Sequence, residues 1–314
     1  MSLDLDRIRA AHDRIRKYIH RTPVLTSARL DDASSAKLFF KCENLQKIGA
    51  FKARGATNAV FSLGDDAAKR GVATHSSGNH GTALARAAKL RGIPAHIVMP
   101  KNSAKVKVRA VEGFGAHVIF CEPNDSAREA ACNDVMAKTG ATLIHSFENE
   151  DVMAGQGTTA IELLEDAELD VVICPVGGGG LLSGIATASK SIHPKIKVIA
   201  AEPANADDTA QSFQAKQRMV TDKKFTIADG LRTNVGEKTF PIVQRYVDDV
   251  VTVSEDAIVS AMRTIWETMK IIIEPSAAVP YAAIADRRID LGGKRVGIIL
   301  TGGNVDLDAL PWLR

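Results

Sequence analysis

Four short stretches of this chain carry residues able to do chemistry. In the first, Asn44-Leu45-Gln46-Lys47-Ile48-Gly49-Ala50-Phe51-Lys52-Ala53-Arg54-Gly55, Lys52 stands between an aromatic ring and a small residue, at the start of an apolar-periodic segment. An amine desolvated there can form an imine with a carbonyl. Taken by itself, the stretch reads more simply as a surface lysine on a first helical turn. The second, Thr74-His75-Ser76-Ser77-Gly78-Asn79-His80-Gly81, offers two hydroxyls, an amide and an imidazole beside glycines that permit close backbone approach; its plainer alternative is helix capping by Ser77 or Asn79. The third, Val176-Gly177-Gly178-Gly179-Gly180-Leu181, follows an apolar strand and opens a helix, so bare N–H groups and the helix dipole can face an anion. The fourth, Leu300-Thr301-Gly302-Gly303-Asn304, puts a neutral hydroxyl at the end of another apolar strand.

The spacing of the glycines decides which anion. Glu202 ends the strand after the glycine run, about where an acid would take a ribose hydroxyl in a nicotinamide-binding unit. Yet GxGxxG read from Gly177 or Gly178 puts Leu182 or Ser183 at the third glycine, and no Walker lysine follows. A monophosphate therefore fits better than a nucleotide. A lysine for an imine, a cradle for one phosphate and a hydroxyl for a ring nitrogen are together the parts needed to hold pyridoxal phosphate.

Elements that could bring these stretches together are legible in the apolar pattern. An N-terminal amphipathic helix (Ile8, Ile15) and a short strand, Lys37 to Glu43, precede a helical spacing from Phe51 to Phe61. Beyond Gly71, strands at Val72 to Thr74, Ala95 to Met99, Val118 to Cys121, Leu143 to His145, Val171 to Cys174 and Lys197 to Ala201 alternate with helical segments. A polar interval from Asn205 to Asn234 interrupts the order, which closes with Asp249 to Val253, two helices and the strand Val296 to Leu300. This predicts an α/β fold of parallel sheets covered by helices on both faces, with ligands beyond the carboxyl ends of the strands.

Composition narrows the class. The 314 residues are 45% hydrophobic and 25% charged, enough for a full core and two lobes. With 40 basic and 37 acidic residues intermixed, the net charge of +3 shows no basic block, so neither nucleic acid nor an anionic membrane is expected as partner. The partner expected is a small molecule. Cys42, Cys121, Cys132 and Cys174 lack CxxC spacing and read as buried thiols of a reducing cytosol. No apolar leader or bilayer-length run is present, so a cytoplasmic protein is expected.

With these motifs in hand, the chain resembles the fold-type II pyridoxal-phosphate enzymes, and within them the serine racemase and serine/threonine dehydratase family, including 3-hydroxyaspartate dehydratases. The likeness runs through Cys42 to Lys47, Phe51-Lys52, Ser76 to His80, Ala154-Gly155-Gln156-Gly157-Thr158, the four glycines, Ile227-Ala228-Asp229-Gly230 and Thr301 to Asn304. It implies a large cofactor domain (1–70 plus 149–314), a small mobile domain (71–148) and a homodimer. Lys52 would carry the cofactor as a Schiff base, Phe51 and Gly230 would bracket the ring, and Asn79 would meet its hydroxyl. Gly177, Gly178, Gly179 and Gly180 would bind the phosphate, and Thr301 would face the pyridine nitrogen. Ser76, Ser77, Asn79, His80 and Arg128 are the implied substrate-binding residues. Ser77, opposite Lys52, is a second catalytic base in the racemases. Glu202, the carbonyl of Ala206 and Asp208 match positions that hold magnesium or manganese. The implied activity is dehydration of serine, threonine or 3-hydroxyaspartate to a 2-keto acid and ammonia, with racemisation as the alternative. For a second substrate carboxylate the candidates are His145 and Arg232. The chain departs from the family at Ala50 and Thr301, where serine is common, and at Thr82, where nucleotide-activated racemases tend to have glutamine.

Overall fold

The architecture is that of a computed structural model describing residues 3–222 and 225–313. Among them the order is α1 (Leu5–Ile15), β1 (Val24–Leu25), α2 (Ala28–Ser34), β2 (Lys37–Cys42), α3 (Lys52–Ser62), α4 (Asp65–Arg70), β3 (Val72–His75), α5 (Asn79–Arg91), β4 (Ala95–Pro100), α6 (Lys105–Glu112), β5 (His117–Cys121), α7 (Asp125–Thr139) and β6 (Thr142–Leu143). There follow α8 (Glu150–Asp166), β7 (Val171–Pro175), α9 (Gly180–Ile192), β8 (Lys197–Pro203), α10 (Asp208–Ala215), α11 (Phe240–Tyr246), β9 (Asp249–Val253), α12 (Glu255–Met269), α13 (Pro275–Ala285) and β10 (Arg295–Leu300). Side-chain caps start several helices: Asn124 accepts from Ala127 N at 2.8 Å and Asn149 from Val152 N at 3.0 Å. Gly92 and Gly140, both at φ 70°, end α5 and α7 in the left-handed conformation that glycine adopts without a Cβ clash.

Two sheets result. The larger has the order β1-β2-β10-β7-β8-β9, the smaller β5-β4-β3-β6. All neighbours are parallel except β1, which pairs antiparallel with β2 and departs from the all-parallel expectation. In β10 the pleat sends successive residues to opposite faces: Ile298 packs with Phe40, Ile173 and Met262, whereas Ile299 packs with Cys174, Leu182 and Ile185. Full burial of each such side chain stabilises by about 1.5–3 kcal/mol.

Helices α3, α8 and α9 pack against one another through glycine. A methyl at Gly155 would lie 2.7 Å from the Gly55 Cα, and one at Gly184 would lie 2.5 Å from the Gly157 N. Backbones this close leave no room for side chains, which fixes α3 firmly behind the site. The polar interval after Asn205 contains α10, whose buried residues, Asp208, Thr209 and Ser212, are all polar and so leave no apolar spacing to mark it. The strand expected through His145 stops at Leu143. All four cysteines are buried free thiols, and no helix of the described residues is long and apolar enough to cross a membrane.

Candidate active site

Register places the reactive stretches together. Cys42 pairs with Leu300, and β10 also pairs with β7, so the ends of β2, β10 and β7 deliver the Lys52 loop, Thr301 and the glycine run side by side. The chain before Lys52 turns sharply, with Ile48 at φ 60° and Gly49 at φ 72°, and lies against the turn after β10. Ala50 forms a β-bridge with Gly302, and Phe51 N donates to Thr301 O at 3.0 Å. Ala50 is fully buried, so its contribution is this backbone pairing.

Lys52 opens α3. Its Nζ donates to Ser146 O at 2.9 Å and lies 5.1 Å from the Phe51 ring centroid. Burial pushes the amine down to about 8, because no carboxylate offsets the loss of water. Such an amine is a far better nucleophile at neutral pH than an ordinary lysine.

The glycine run is shaped from outside. Gly179 adopts φ 86°, and Thr239 Oγ1 donates to Gly178 O at 2.7 Å. The first amides of α9 have no acceptor within the helix, which leaves them for an anion. Phe147 covers the run so closely that a methyl at Gly178 would overlap its ring. Gly178→Ala is expected to lower the melting temperature of the cofactor-free protein through an overpacking cost of about 1–3 kcal/mol. A melt matching the parent would mean that the ring yields freely.

Thr301 is 3% exposed and its Oγ1 has no hydrogen-bond partner among the described residues. A buried hydroxyl left so is destabilising unless a ligand completes it, and a ring nitrogen would. Asn79, the first residue of α5, donates from Nδ2 to both oxygens of Glu274 at 3.1 and 3.3 Å, and its Oδ1 accepts from Asn304 Nδ2 at 2.8 Å. Gly230 N donates to Ser276 Oγ at 3.1 Å, while the residue itself is exposed. Amine, amide cradle and orphan hydroxyl together fit pyridoxal phosphate. Glu274 was not anticipated: an acid between an isoleucine run and a proline reads as an ordinary helix start.

On the smaller sheet's side, Ser76 rather than Ser77 or Asn79 serves the turn, its Oγ accepting from Gly78 N at 3.4 Å and Gly81 N at 3.2 Å. The helix offers no acceptor to the amides of Asn79 and His80. The ring of His80 is engaged elsewhere, so any donation from this residue to a carboxylate falls to its backbone amide. The ring Nε2 is 2.8 Å from Ile144 O, and burial, then the Lys52 charge, push the ring down to about 3. A neutral imidazole donating from Nε2 has only a lone pair at Nδ1, so His80 is a strut to the segment after β6. His145 is similar: Nδ1 accepts from Glu148 N at 3.0 Å, and burial followed by His75 pushes it to about 4. Neither ring supplies a cation. Arg232 donates to Thr226 O, at 3.0 Å from Nε and 2.7 Å from Nη2. Arg128, on α7, is 3.6 Å from Asp125, and its charge acts on His75, whose ring centroid is 5.9 Å from that of His145.

The acidic turn after β8 is internal. Glu202 and Asp208 are fully buried and Ala206 nearly so. Glu202 accepts from Thr209 N at 3.2 Å and Ala210 N at 3.0 Å, and Asp208 Oδ2 accepts from Val235 N at 2.6 Å. Burial, then the Asp208 charge, raise Glu202 to about 8. Two adjacent buried carboxylates and a carbonyl make a hard oxygen donor set that suits a divalent cation. Among the described residues no group of three or more His, Cys, Asp or Glu side chains is assembled, so the set depends on the carbonyl and on water.

Comparison with known proteins agrees with this geometry. Residues 15–302 match the model of a family described as pyridoxal-phosphate dependent enzyme. A serine racemase of Arabidopsis thaliana is 50% identical over 98% of this chain and 95% of its own length. A beta-hydroxyaspartate dehydratase of Paracoccus denitrificans (strain Pd 1222) is 48% identical over 96% of each. The crystal structure of serine racemase from Dictyostelium discoideum superposes with a TM-score of 0.94 at 49% identity, covering 98% of this chain and 100% of that one.

Proposed function

This chain belongs to the family of fold-type II pyridoxal-phosphate dependent enzymes, and from that membership we propose that it is an ammonia-lyase converting a small β-hydroxy-α-amino acid (3-hydroxyaspartate, serine or threonine) to a 2-keto acid and ammonia. The observation that carries the reading is Thr301, a buried neutral hydroxyl with no hydrogen-bond partner among the described residues. Bound pyridoxal phosphate supplies the electron sink for the pair left at Cα. A hydroxyl cannot keep a ring nitrogen protonated as a carboxylate would, so the sink stays weak and prompt departure of a β-hydroxyl is favoured.

Lys52 would hold the cofactor, and its free amine, pushed down to about 8 by burial, would take the α-proton. The amides of Asn79 and His80 at the start of α5, with the Ser76 and Ser77 hydroxyls, receive the α-carboxylate. Arg128 approaches from the small domain, residues 71–148, as it closes on the large domain, residues 1–70 plus 149–314. Glu202, Ala206 O and Asp208 hold magnesium or manganese, and the working form is a homodimer.

A second reading, racemisation, is favoured by the 50% identity to a serine racemase, as close as that to the dehydratase. Ser77 would then act on the face opposite Lys52. The two are separated by incubating the enzyme with each stereoisomer of the three substrates, with magnesium or with EDTA. Keto acid and ammonia are the expected main products. Ser77→Ala should lower inversion by about 10²-fold or more while sparing elimination, and EDTA should lower the melting temperature. Conversion of L-serine chiefly to D-serine would overturn the dehydratase reading, and an EDTA-insensitive melt would remove the metal.

A further inference from the structure

Glu274 occupies the N-cap position of α13 yet makes no side-chain cap bond there. Its carboxyl turns the other way, into the site. It is 6% exposed, accepts from Asn79 Nδ2 and from Asn304 N at 3.2 Å, and lies where a methyl at Gly302 would meet Oε1 at 2.6 Å. Both partners are neutral donors. Burying a carboxylate on neutral donors alone is expensive, and burial followed by the Asp229 charge raises it to about 7, with Lys107 opposing. Lys107 and Asp229 are themselves paired at 3.3 Å.

The geometry has a consequence for Asn79. A side-chain amide has two N–H donors and one carbonyl. The carbonyl is taken by Asn304 Nδ2 and one N–H by Glu274, so a single N–H remains. Were the amide reversed, its oxygen would face the carboxyl and its nitrogen the Asn304 donor. Asn304 Nδ2 also donates to Ile48 O at 2.8 Å, which ties this network to the loop that delivers Lys52.

We propose that Glu274 is a positioning residue that locks the Asn79 amide so that it presents a donor, not an acceptor, to the hydroxyl oxygen of bound pyridoxal phosphate. The proposal rests on the assignment of Asn79 to that oxygen. A fixed donor favours the ionised oxygen, and the carboxyl, not the asparagine, decides which end of the amide faces it.

The test is the pH titration of the cofactor's absorption in holoenzyme carrying Glu274→Gln, Glu274→Ala or Asn79→Ala, with cofactor affinity from equilibrium dialysis. Gln keeps the shape but brings an N–H against one of the two donors, which frees the Asn79 amide. Both Glu274 variants are expected to shift the band toward the neutral-hydroxyl form and move its midpoint up by about one pH unit, a tenfold change in the equilibrium. Melting of cofactor-free Glu274→Gln should stay close to the parent, since relief of a buried carboxyl offsets the clash of donors that the amide introduces. If Asn79→Ala moves the midpoint and neither Glu274 variant does, the role of Glu274 is refuted while the Asn79 assignment stands. If Asn79→Ala leaves the midpoint in place, the Asn79 assignment fails and Glu274 falls with it.

Discussion

Lys52→Ala is expected to lower turnover of every substrate by at least about 10⁴-fold, because one side chain serves as covalent holder and as base. Borohydride reduction of the parent holoenzyme should fix the cofactor's mass on the peptide containing Lys52, and on no peptide of the variant. The same substitution makes a stability prediction with a definite sign. The folded amine titrates at about 8 against an ordinary 10.5, so the unfolded chain binds more protons between those values. Stability of the cofactor-free parent should therefore rise as pH passes through that window, with the full penalty present below it. The alanine variant should lack that rise. A variant that retains even a few per cent of parental turnover would refute the assignment.

Arg54→Ala is expected to destabilise the protein by about 3–5 kcal/mol, the loss typical when one member of a buried ion pair is removed. Arg54 is fully buried two residues after Lys52. Its Nη2 lies 2.8 Å from Glu43 and 2.7 Å from Glu162, and Lys41 Nζ adds a second cation at 2.7 Å from Glu162. Burial works against the Arg54 charge, but Glu43 and Glu162 outweigh it and raise its pKa. Glu162 is conversely held below its usual 4.5, so its contribution is complete above that pH and is lost as acid reaches the depressed value. Chemical denaturation at neutral pH should show the loss in the Arg54 variant. Removing the arginine strands two carboxylates with one lysine. A midpoint shift worth less than about 1 kcal/mol, the scale of an exposed pair, would mean that water reaches the cluster.

What the sequence discloses and what it conceals follow from one asymmetry. Turns at strand ends are local: Ser76 to His80, Gly177 to Gly180 and Thr301 to Asn304 stand out because apolar runs and glycines mark them. Position alone then places them together once the sheet is parallel. Arg54, Glu162 and Glu274 do not stand out, since a charged residue on a helix or beside a proline reads as solvated until its partners, more than a hundred residues away for Glu162 and Arg54, are known. His80 shows that a motif names a residue without saying which of its atoms acts. Its place in the motif implied a carboxylate donor, and only the 2.8 Å contact with Ile144 O shows that the ring N–H is spent elsewhere, which leaves the backbone amide. Helix α10 was hidden for want of an apolar stripe.

The position of β10 has a bearing on how the enzyme comes into being. This strand, residues 295–300, is the last of the described strands in chain order, yet it is inserted between β2 and β7. Until it emerges from the ribosome, the lysine loop and the glycine run have no common neighbour, and Thr301 does not exist. The pocket is thus assembled only in chains extended past Thr301. A nascent chain or a product cut short before β10 lacks the strand that joins the two loops, so acquisition of the cofactor's colour would report that β10 is in place.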